Sequence, residues 1–571
     1  MDYKSIILSN INAACEALGA VAGAVEVPPN PEMGDVAFPC FSLAKTLRKA
    51  PPLIAKDIKE LICQNATADF SQIIDRVEVV GGYVNFFIKK SGLISGVIQE
   101  INAAGEAYGR LDDGQDKTVL VEFSSPNIAK PFHVGHLVST ALGSSLERIY
   151  SFLGYKTVKI NHIGDWGTQF GKLISAYKHW GDRSVIEKDP INELLKIYVR
   201  FHKEAEEKPE LEDEARHYFK LLEDGDSEVT ELWQFFVSAS LTEFNRMYKL
   251  LGISFDSYAG ESFYTDKMPE IVNILKDKNL LEESEGAMVV RFEDDNMPPC
   301  IILKSDGTTI YATRDIAAAV YRKRHYDFYK NIYVVGTPQT LHFKQVFSVI
   351  DKMGFDWANN CVHVDFGYVR FPDKSMSTRH GDVILLEDLL NMSIAKTKEI
   401  ISASSTSKDI DNIEDLAQKI GVGAVIFAFL KNSRERDIIF TWDDILDFEG
   451  ESGPYVQYAY ARGKSILRKA SEFVVDADDG VYEPTNEEFE LAKLLNDYSS
   501  VVQDAASKNQ PCIITRYTLA VAAAFNKFYN TCNIMKSSGV TRTKRIELTN
   551  AMCHVIKSAL HLIGVDVVEK M

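Results

Sequence analysis

The 571-residue chain lacks three features that would place it in a membrane or an oxidising compartment. It has no uninterrupted apolar run of about 20 residues, the length that a membrane-spanning helix needs. Its first residues, MDYKS, lack the basic and apolar regions of a secretory signal. Its eight cysteines form no Cys-x-x-Cys pair, which is typical of reduced thiols and argues against a structural zinc site. We therefore expect a soluble cytoplasmic protein without a membrane partner or a protein-bound structural metal.

Positive charge is also scarce, because 63 Lys and Arg face 81 Asp and Glu, for a net charge of −18. The excess acid lies before residue 451, since residues 451–571 hold 14 basic and 14 acidic side chains. In that neutral segment four basic residues lie close to three tyrosines: Arg462, Lys464, Arg468 and Lys469 beside Tyr455, Tyr458 and Tyr460. This composition permits RNA binding, but it equally fits a solvated helix with core tyrosines.

The length predicts three or four domains, and the hydrophobic pattern divides the chain accordingly. Residues 1–112 predict a small mixed domain with an opening amphipathic helix and a strand pair around 77–89 that turns at Gly81-Gly82. Residues 113–400 predict an α/β domain with a largely parallel sheet, interrupted at about 173–251 by charged helices. Residues 401–450 predict a helical stem, and residues 451–571 a helical bundle.

The strands expected in the α/β domain are short apolar runs between helical segments. They lie at residues 118–123, 157–160, 288–292, 301–304, 332–336 and 363–369. After about residue 386 the pattern predicts helices alone.

The run SSPNIAKPFHVGH at residues 124–136 is the motif most typical of a catalytic loop. It lies between the strand at 118–123 and an amphipathic helix. The N–H groups of a helix N-terminus bind phosphate, and His133 and His136 add donors there. Gly135 permits close approach of a ligand to the backbone. A divalent metal site and a structural loop are the competing interpretations of the histidine pair.

A second run, NHIGDWGTQFG at residues 161–171, follows the next strand, where ligands of open α/β sheets collect. Its glycines predict a backbone that wraps closely around a ligand, whereas structural packing of Trp166 is the equal alternative. A third run, SDGTTIYATRD at residues 305–315, places Tyr311 and Asp315 one helical turn apart, on one face. A helix cap or an ion pair is the alternative role of Asp315.

The HVGH run resembles the His-Ile-Gly-His element of class I aminoacyl-tRNA synthetases, and EFSSPNIAK at residues 122–130 resembles the arginyl branch of that family. The resemblance implies a class I Rossmann-like catalytic domain with a helical insertion, a small α+β N-terminal domain and an all-α anticodon-binding bundle. It also implies ATP-dependent ligation of L-arginine to tRNA(Arg) through arginyl-adenylate, with release of AMP and pyrophosphate and Mg²⁺ bridging the triphosphate.

The same resemblance assigns roles to individual residues. Catalytic charge and hydrogen-bond donors would come from Lys130, His133, His136 and Arg379. ATP would contact His133, Gly135, His136, Met376, Ser377 and Thr378. Arginine would contact Glu122, Ser125, Asn127, His136, Tyr311, Asp315 and Gln339, since a guanidinium pairs with a carboxylate and stacks on a flat wall.

The run KSMSTRHG at residues 374–381 resembles the Lys-Met-Ser-Lys-Ser loop of the family but lacks its second lysine. Arg379 lies one place later than that lysine. Arginyl enzymes often lack the standard loop, and a lysine at the position of Lys130 is thought to compensate. Whether Arg379 or Lys130 replaces the missing lysine stays open.

Both terminal domains resemble tRNA-binding parts of arginyl enzymes. The run SGPYVQYAYAR at residues 452–462 looks like the start of the anticodon-binding bundle, with Tyr455, Tyr458, Tyr460 and Arg462 as tRNA contacts. NPEMGDVAF at residues 30–38 and GGYVN at residues 81–85 resemble the domain that meets the tRNA elbow, although a scaffold or dimerisation module is the alternative. The expected partners are tRNA(Arg), L-arginine and ATP, and we expect a monomer.

Three other functions compete with this interpretation. A cysteinyl enzyme would need a Cys/His zinc site that the sequence does not contain. An inert tRNA-binding paralogue would explain the terminal domains without catalysis, although both histidines and Asp315 are present. An unrelated nucleotidyltransferase would explain the histidine loop but not the terminal domains.

Overall fold

The computed structural model describes residues 3–293, 297–371, 384–404, 410–472 and 481–571. The N-terminal part is a three-stranded antiparallel sheet of order β1-β3-β2 with helices packed on it. Its elements are α1 (Tyr3–Ala17), β1 (Val36–Pro39), α2 (Ala44–Leu47), α3 (Pro51–Asn65), α4 (Ala68–Ile73), β2 (Ile74–Val80), β3 (Tyr83–Ile88) and α5 (Lys90–Ala104). Gly81, at φ +58°, makes the β2–β3 turn, so the predicted strand pair and its turn are confirmed.

The centre of the molecule is a four-stranded parallel sheet of order β10-β9-β4-β5. Its strands and flanking helices are β4 (Thr118–Glu122), α6 (Val134–Phe152), β5 (Lys156–Ile160), α13 (Tyr311–Tyr326), β9 (Lys330–Val334), α14 (Thr340–Lys352) and β10 (Cys361–Val364). The chain runs outward from β4 to β5 on one side and from β9 to β10 on the other. The β4–β9 pair is therefore the topological switch point, where such sheets bind ligands beyond their carboxyl ends.

The strands predicted at 288–292 and 301–304 lie outside the parallel sheet. They are β7 (Ala287–Val290) and β8 (Cys300–Leu303), and together with β6 (Glu282–Ser284) they form a separate antiparallel sheet of order β6-β7-β8. The reason is chain length, because parallel neighbours need a crossover of about a dozen residues or more. Glu285 and Gly286, both at positive φ, instead turn β6 directly into β7.

The strand predicted at 363–369 is also divided in two. β10 ends at Val364, and after a break β11 (Val369–Arg370) pairs in parallel with β12 (Ile438–Ile439). The expectation of helices alone after about residue 386 is therefore wrong for β12. A strand of two residues leaves too short a pattern to detect in a sequence.

The helical insertion follows β5, and its first helix begins at Thr168, a few residues before the start predicted at about residue 173. It consists of α7 (Thr168–Trp180), α8 (Arg183–Ile186), α9 (Pro190–Glu207), α10 (Glu210–Glu223) and α11 (Ser227–Leu250), and α12 (Met268–Asp277) follows. The Trp233 indole on α11 donates to the Asp165 carbonyl at 2.8 Å, which ties the insertion to the loop after β5.

The remainder is helical apart from β12. Its helices are α15 (Leu386–Ala403), α16 (Ile413–Leu430), α17 (Trp442–Ile445), α18 (Gly453–Ala470), α19 (Asn486–Asn496), α20 (Tyr498–Lys508), α21 (Cys512–Cys532) and α22 (Gly539–Leu562). Helices α18, α19, α20, α21 and α22 form the bundle. Ser452 caps α18 by accepting a hydrogen bond from the Tyr455 N–H at 3.2 Å.

The bundle contacts both the parallel-sheet part and the N-terminal part of the chain. On α6, the Tyr150 hydroxyl donates to the Ala506 carbonyl at 3.0 Å. On the N-terminal side, Lys4 pairs with Asp497 at 3.0 Å, and α5 packs on α19 and α22. Within the described ranges, no helix combines the length and apolar character needed to cross a membrane. The domain boundaries drawn from the sequence stay predictions.

Gly171 permits the close packing of α7 on α10. A Cβ at this position would lie 2.0 Å from the Ala215 carbonyl oxygen and 2.9 Å from the Phe219 Cβ. We predict that Gly171→Ala lowers the free energy of unfolding by about 1–3 kcal/mol, because backbone has to shift. Thermal unfolding measures this. The control, Gly92→Ala in α5, meets nothing nearer than 3.4 Å, and equal melting temperatures for the two variants would contradict the prediction.

Candidate active site

The loop after β4 has an unusual backbone that is clamped from several sides. Ser124, Ser125 and Ala129 all have positive φ, at +72°, +47° and +60°, a region that non-glycine residues seldom adopt. The Ser124 N–H donates to the Ser139 hydroxyl at 3.0 Å, and the Ser124 hydroxyl lies 2.8 Å from the Tyr248 hydroxyl. These contacts with α6 and α11 hold the strained loop in one shape over the sheet edge.

The loops after β4 and β5 are joined to each other. The Ile128 N–H donates to the Gly164 carbonyl at 3.1 Å, and the Gly164 N–H donates to the Pro126 carbonyl at 3.0 Å. A Cβ on Gly164 would lie 2.2 Å from the Asn127 side-chain oxygen, so a larger residue at this position would displace the Asn127 side chain. Trp166 packs edge-on against Phe219 and Trp233, which is the structural role that the sequence left open.

The two motif histidines cap α6 together. His133 Nδ1 accepts a hydrogen bond from the Gly135 N–H at 3.1 Å, and His136 Nδ1 accepts from the His133 N–H at 3.1 Å. Their rings stack with centroids 3.8 Å apart. Since each Nδ1 is an acceptor, each neutral ring carries its proton on Nε2 and keeps that donor for a ligand.

Burial keeps these rings neutral at pH 7. Desolvation lowers the pKa of His136 to about 3, with smaller contributions from His133 and Lys130. Burial also lowers the pKa of His133. Lys130 lies exposed at the end of the loop. The pair therefore supplies neutral donors at a helix N-terminus, and Lys130 supplies the positive charge beside them.

Four predicted site residues, Met376, Ser377, Thr378 and Arg379, lie outside the described residues. The chain that follows them returns to the histidine motif. The Val134 N–H donates to the Ile384 carbonyl at 3.1 Å, and the Leu386 N–H donates to the Phe132 carbonyl at 2.9 Å. Residues 384–386 are thereby attached beside His133.

The candidate arginine pocket begins at the N-termini of α13 and α14. Asp315 and Tyr311 lie one turn apart on α13, as predicted, and the Tyr311 side chain is exposed. Asp315 Oδ2 lies 2.5 Å from His342 Nε2, and Asp315 Oδ1 lies 4.0 Å from His162 Nε2. Gln339, exposed, is the N-cap residue of α14, three residues before His342.

The other predicted arginine contacts lie at the end of β4. The Glu122 carboxylate is buried and pairs with Arg322 Nη1 of α13 at 2.5 Å, so the chain's own guanidinium neutralises it. The Ser125 hydroxyl is buried and has no hydrogen-bond partner in the described part of the chain. Asn127 is exposed beside it. Ser125 and Asn127 are thus free to meet a ligand, whereas Glu122 is committed to an ion pair.

Sequence reasoning missed His162, Arg322 and His342. Arg322 Nη2 lies 3.5 Å from His162 Nδ1, so these residues connect Glu122 to Asp315 across the pocket. The signals were weak: His162 lies two residues after a strand, and His342 shares a helix turn with Gln339. Their partners come from other elements, which no local pattern reveals.

On the bundle surface, aromatic rings and a guanidinium form a stack. The Arg462 guanidinium lies 4.7 Å from the Tyr458 ring centroid and 4.9 Å from that of Tyr529. Arg462 Nη1 donates to the Asn526 side-chain oxygen at 2.6 Å, and the Asn526 amide donates to the Tyr455 hydroxyl at 3.0 Å.

Tyr460 does not join that surface, which corrects its assignment as a tRNA contact. It is only 4% exposed and packs in the core. The reason is helical period: Tyr458 and Arg462 are four residues apart and share the outer face of α18, whereas Tyr460 lies on the opposite face.

Comparison with known proteins covers the whole chain. Residues 97–442 match the family model "tRNA synthetases class I (R), catalytic domain". Residues 456–571 match "DALR anticodon binding domain", and residues 1–88 match "Arginyl tRNA synthetase N terminal domain".

Similar proteins extend over the same length. An arginine–tRNA ligase of Clostridium botulinum (strain Okra / Type B1) is 54% identical, and one of Clostridium kluyveri (strain NBRC 12016) is 52% identical, each over 100% of both chains. The arginyl-tRNA synthetase structure of Thermus thermophilus superposes with a TM-score of 0.81 at 24% identity, over 100% of both chains. That of Plasmodium falciparum has a TM-score of 0.80 at 24% identity, covering 100% of this chain and 98% of the other. The two structures support the same fold.

The depressed pKa of His136 predicts a specific pH dependence of stability. The folded ring has a pKa of about 3 against an ordinary value of 6.5, so between these values only the unfolded chain takes up the proton. Stability therefore falls as pH drops from about 6.5 towards 3. We expect His136→Asn to show a shallower loss over this range, measured as the urea midpoint against pH. Parallel curves for variant and parent would contradict the prediction.

Proposed function

The chain belongs to the arginyl-tRNA synthetase family, and from this membership we propose how its residues carry out the reaction. It is an arginine–tRNA ligase that uses ATP to attach L-arginine to tRNA(Arg). One observation carries the residue assignment: the stacked histidines at the start of α6 and Asp315 near the start of α13 both lie at the carboxyl edge of one parallel sheet. The full-length identity to arginine–tRNA ligases excludes the cysteinyl and nucleotidyltransferase alternatives.

In the first step the arginine carboxylate attacks the α-phosphorus of ATP, which forms arginyl-adenylate and releases pyrophosphate. No general base is required, so catalysis comes from positioning and from charge stabilisation on the phosphates. His133 and His136 donate from Nε2, and the N-terminus of α6 adds its N–H groups. Lys130 and Arg379 add positive charge, while Gly135, Met376, Ser377 and Thr378 line the nucleotide. Mg²⁺ enters with the triphosphate as part of the substrate.

Arginine is held at its two ends. Asp315 pairs with the guanidinium, with Tyr311 as the flat wall and Gln339 as an added polar contact. Ser125, Asn127 and His136 contact the α-groups, which is supported by the unpaired Ser125 hydroxyl. Glu122 lies close by, and through its pair with Arg322 it shapes the floor of the pocket.

In the second step the terminal 2′-hydroxyl of tRNA attacks the activated carbonyl, and AMP leaves. Tyr458, Arg462 and Tyr455 contact the anticodon region, since aromatic rings and guanidinium planes stack on unpaired bases. Tyr529 joins them through its contact with Arg462. In the N-terminal domain, β1 pairs with β3, which brings the runs 30–38 and 81–85 together. We propose that these runs contact the tRNA elbow.

Several finer assignments stay predictions. These are the monomeric state, the cytoplasmic location, the domain boundaries at 112, 400 and 450, and the order in which tRNA and ATP bind. The location is supported by the eight cysteines, all of which are free thiols.

ATP–pyrophosphate exchange with each of the twenty amino acids, with and without tRNA, tests the function. We expect exchange with arginine alone. Exchange with another amino acid would contradict the pocket, and no exchange under any condition would indicate an inert tRNA-binding paralogue. In the same assay Asp315→Asn should raise the arginine KM, at a cost of about 2–5 kcal/mol, because the guanidinium loses its charged partner.

A matched substitution controls for removal of a carboxylate from this region. Asp306→Asn alters an exposed turn, in which Asp306 accepts a hydrogen bond from the Thr308 N–H at 2.9 Å. It should leave the arginine KM unchanged, and the ATP KM should stay constant in both variants. An unchanged arginine KM in Asp315→Asn would overturn the assignment of Asp315.

The stack on α18 predicts a separable effect on tRNA binding. Tyr458→Ala should weaken tRNA binding by about 1–3 kcal/mol, because a base loses its stacking ring. Tyr458→Phe keeps the ring and should bind as the parent does. Filter binding measures the tRNA Kd, and equal Kd values for the Ala and Phe variants would refute the stacking role.

A further inference from the structure

One arginine on α6 joins three parts of the chain. Arg148 Nη1 donates to the His561 carbonyl at 2.9 Å, and Arg148 Nη2 donates to the Gly252 carbonyl at 3.0 Å. His561 lies in the last turn of α22 in the bundle, and Gly252 follows the end of α11 in the helical insertion. A single guanidinium therefore connects the helix that begins at the motif histidines with both the bundle and the insertion.

Both acceptors of Arg148 belong to helix C-termini of the same geometry. Each helix is followed by a glycine of positive φ, Gly252 at +66° after α11 and Gly564 at +76° after α22. In each case the N–H of the residue after the glycine donates at 2.9 Å to the carbonyl four residues before that glycine. The planar fork of a guanidinium reaches two such carbonyls at once, and the negative ends of both helix dipoles stabilise its charge.

The guanidinium of Arg148 is closely surrounded. A Cβ at Gly564 would lie 3.3 Å from Arg148 Nη1. Burial lowers the pKa of Arg148, while the charges of Glu147 and Asp566 oppose this shift. Since both hydrogen bonds go to backbone carbonyls, the contact fixes the positions of two helix ends.

The end of α11 leads from Arg148 to the active-site loop. Tyr248 lies one helical turn before Gly252, and its hydroxyl lies 2.8 Å from the Ser124 hydroxyl. Ser124 and Ser125 have positive φ, a strained backbone that persists only where its surroundings hold it. A shift of the last turn of α11 would therefore move the support of this loop.

We propose that Arg148 is a positioning residue for adenylate formation, because it holds the ends of α11 and α22 against α6 and so keeps Tyr248 in contact with the loop after β4. That loop carries Ser125 and Asn127, which the proposed function places at the α-groups of arginine. A misplacement of about 1 Å between reacting groups is enough to lower a rate strongly. This inference rests on the proposed function of the loop and of the histidines.

Two substitutions of Arg148 separate its fork from its charge. Arg148→Met keeps an apolar stem without donors and should lower the kcat of arginine-dependent ATP–pyrophosphate exchange, measured with tRNA present, about tenfold. Arg148→Lys keeps the charge but replaces the fork by one ammonium, and should lower kcat about threefold.

The binding constants supply a readout that general destabilisation would not spare. In both variants the arginine KM and the tRNA Kd should stay within about threefold of the parent, because the Asp315 pocket and the outer face of α18 keep their contacts. Arg291→Met is the matched control. It removes an exposed guanidinium that contacts Glu282 at 3.0 Å, and it should leave kcat unchanged.

A double-mutant cycle tests whether Arg148 acts through Tyr248. Tyr248→Phe removes only the hydroxyl and should lower kcat about tenfold by itself. If both residues support the same loop, the double variant Arg148→Met/Tyr248→Phe should also lose about tenfold, whereas independent effects would multiply to about a hundredfold. If Arg148→Met does not fold, the same cycle is built with Arg148→Lys, in which the two losses again should not multiply.

The parent and the variants answer different questions. If the parent shows no arginine-dependent exchange with tRNA present, the proposed function fails. If the parent is active, parent-like kcat in Arg148→Met and Arg148→Lys overturns the role of Arg148 alone. Multiplied losses in the double variant, or a rise in the tRNA Kd parallel to the loss of kcat, overturn it as well.

Discussion

The site depends on a small hydrogen-bond cluster at the switch point of the parallel sheet. The Tyr248 hydroxyl lies 2.8 Å from the Ser124 hydroxyl and accepts a hydrogen bond from the Asn161 amide at 3.0 Å. The Asn161 side-chain oxygen in turn accepts from the Ser125 N–H at 3.2 Å. This cluster joins the loop after β4, the loop after β5 and the last turns of α11. Burial raises the pKa of Tyr248, so its hydroxyl remains protonated and available as a donor.

This cluster also fixes the position at which the helix α6 begins. Two consecutive positive-φ residues, Ser124 and Ser125, redirect the chain, and the two histidines then cap the helix with their Nδ1 atoms. Capping by Nδ1 leaves the Nε2 donors available for a ligand. The same contacts that begin the helix thus leave these donors at the proposed nucleotide site, and different atoms of one ring serve the capping role and the proposed catalytic role.

The carboxylates around the proposed arginine pocket differ in their charged partners. A buried carboxylate that pairs with an arginine of the chain, as Glu122 does with Arg322, is satisfied before any substrate arrives. The Asp315 carboxylate instead lies 2.5 Å from the His342 imidazole, and we propose that it pairs with the guanidinium of the substrate. The insertion contributes here too, because Trp233 and Tyr248 of α11 fix the loops on which His162 and Asn161 lie. The helical insertion is therefore part of the site's support.

Local patterns in the sequence determined the β2–β3 hairpin, the β4–loop–α6 unit, the placement of Tyr311 with Asp315 and the helical nature of the bundle, because strand alternation, turn glycines and helical spacing act over a few residues. Tertiary structure decided two other matters: which face of α18 is buried, and the pairing of Glu122 with Arg322 and of Asp315 with His342. Each of these depends on which distant side chain shares a buried space. Burial makes partner choice energetically decisive, and no spacing along the chain encodes it.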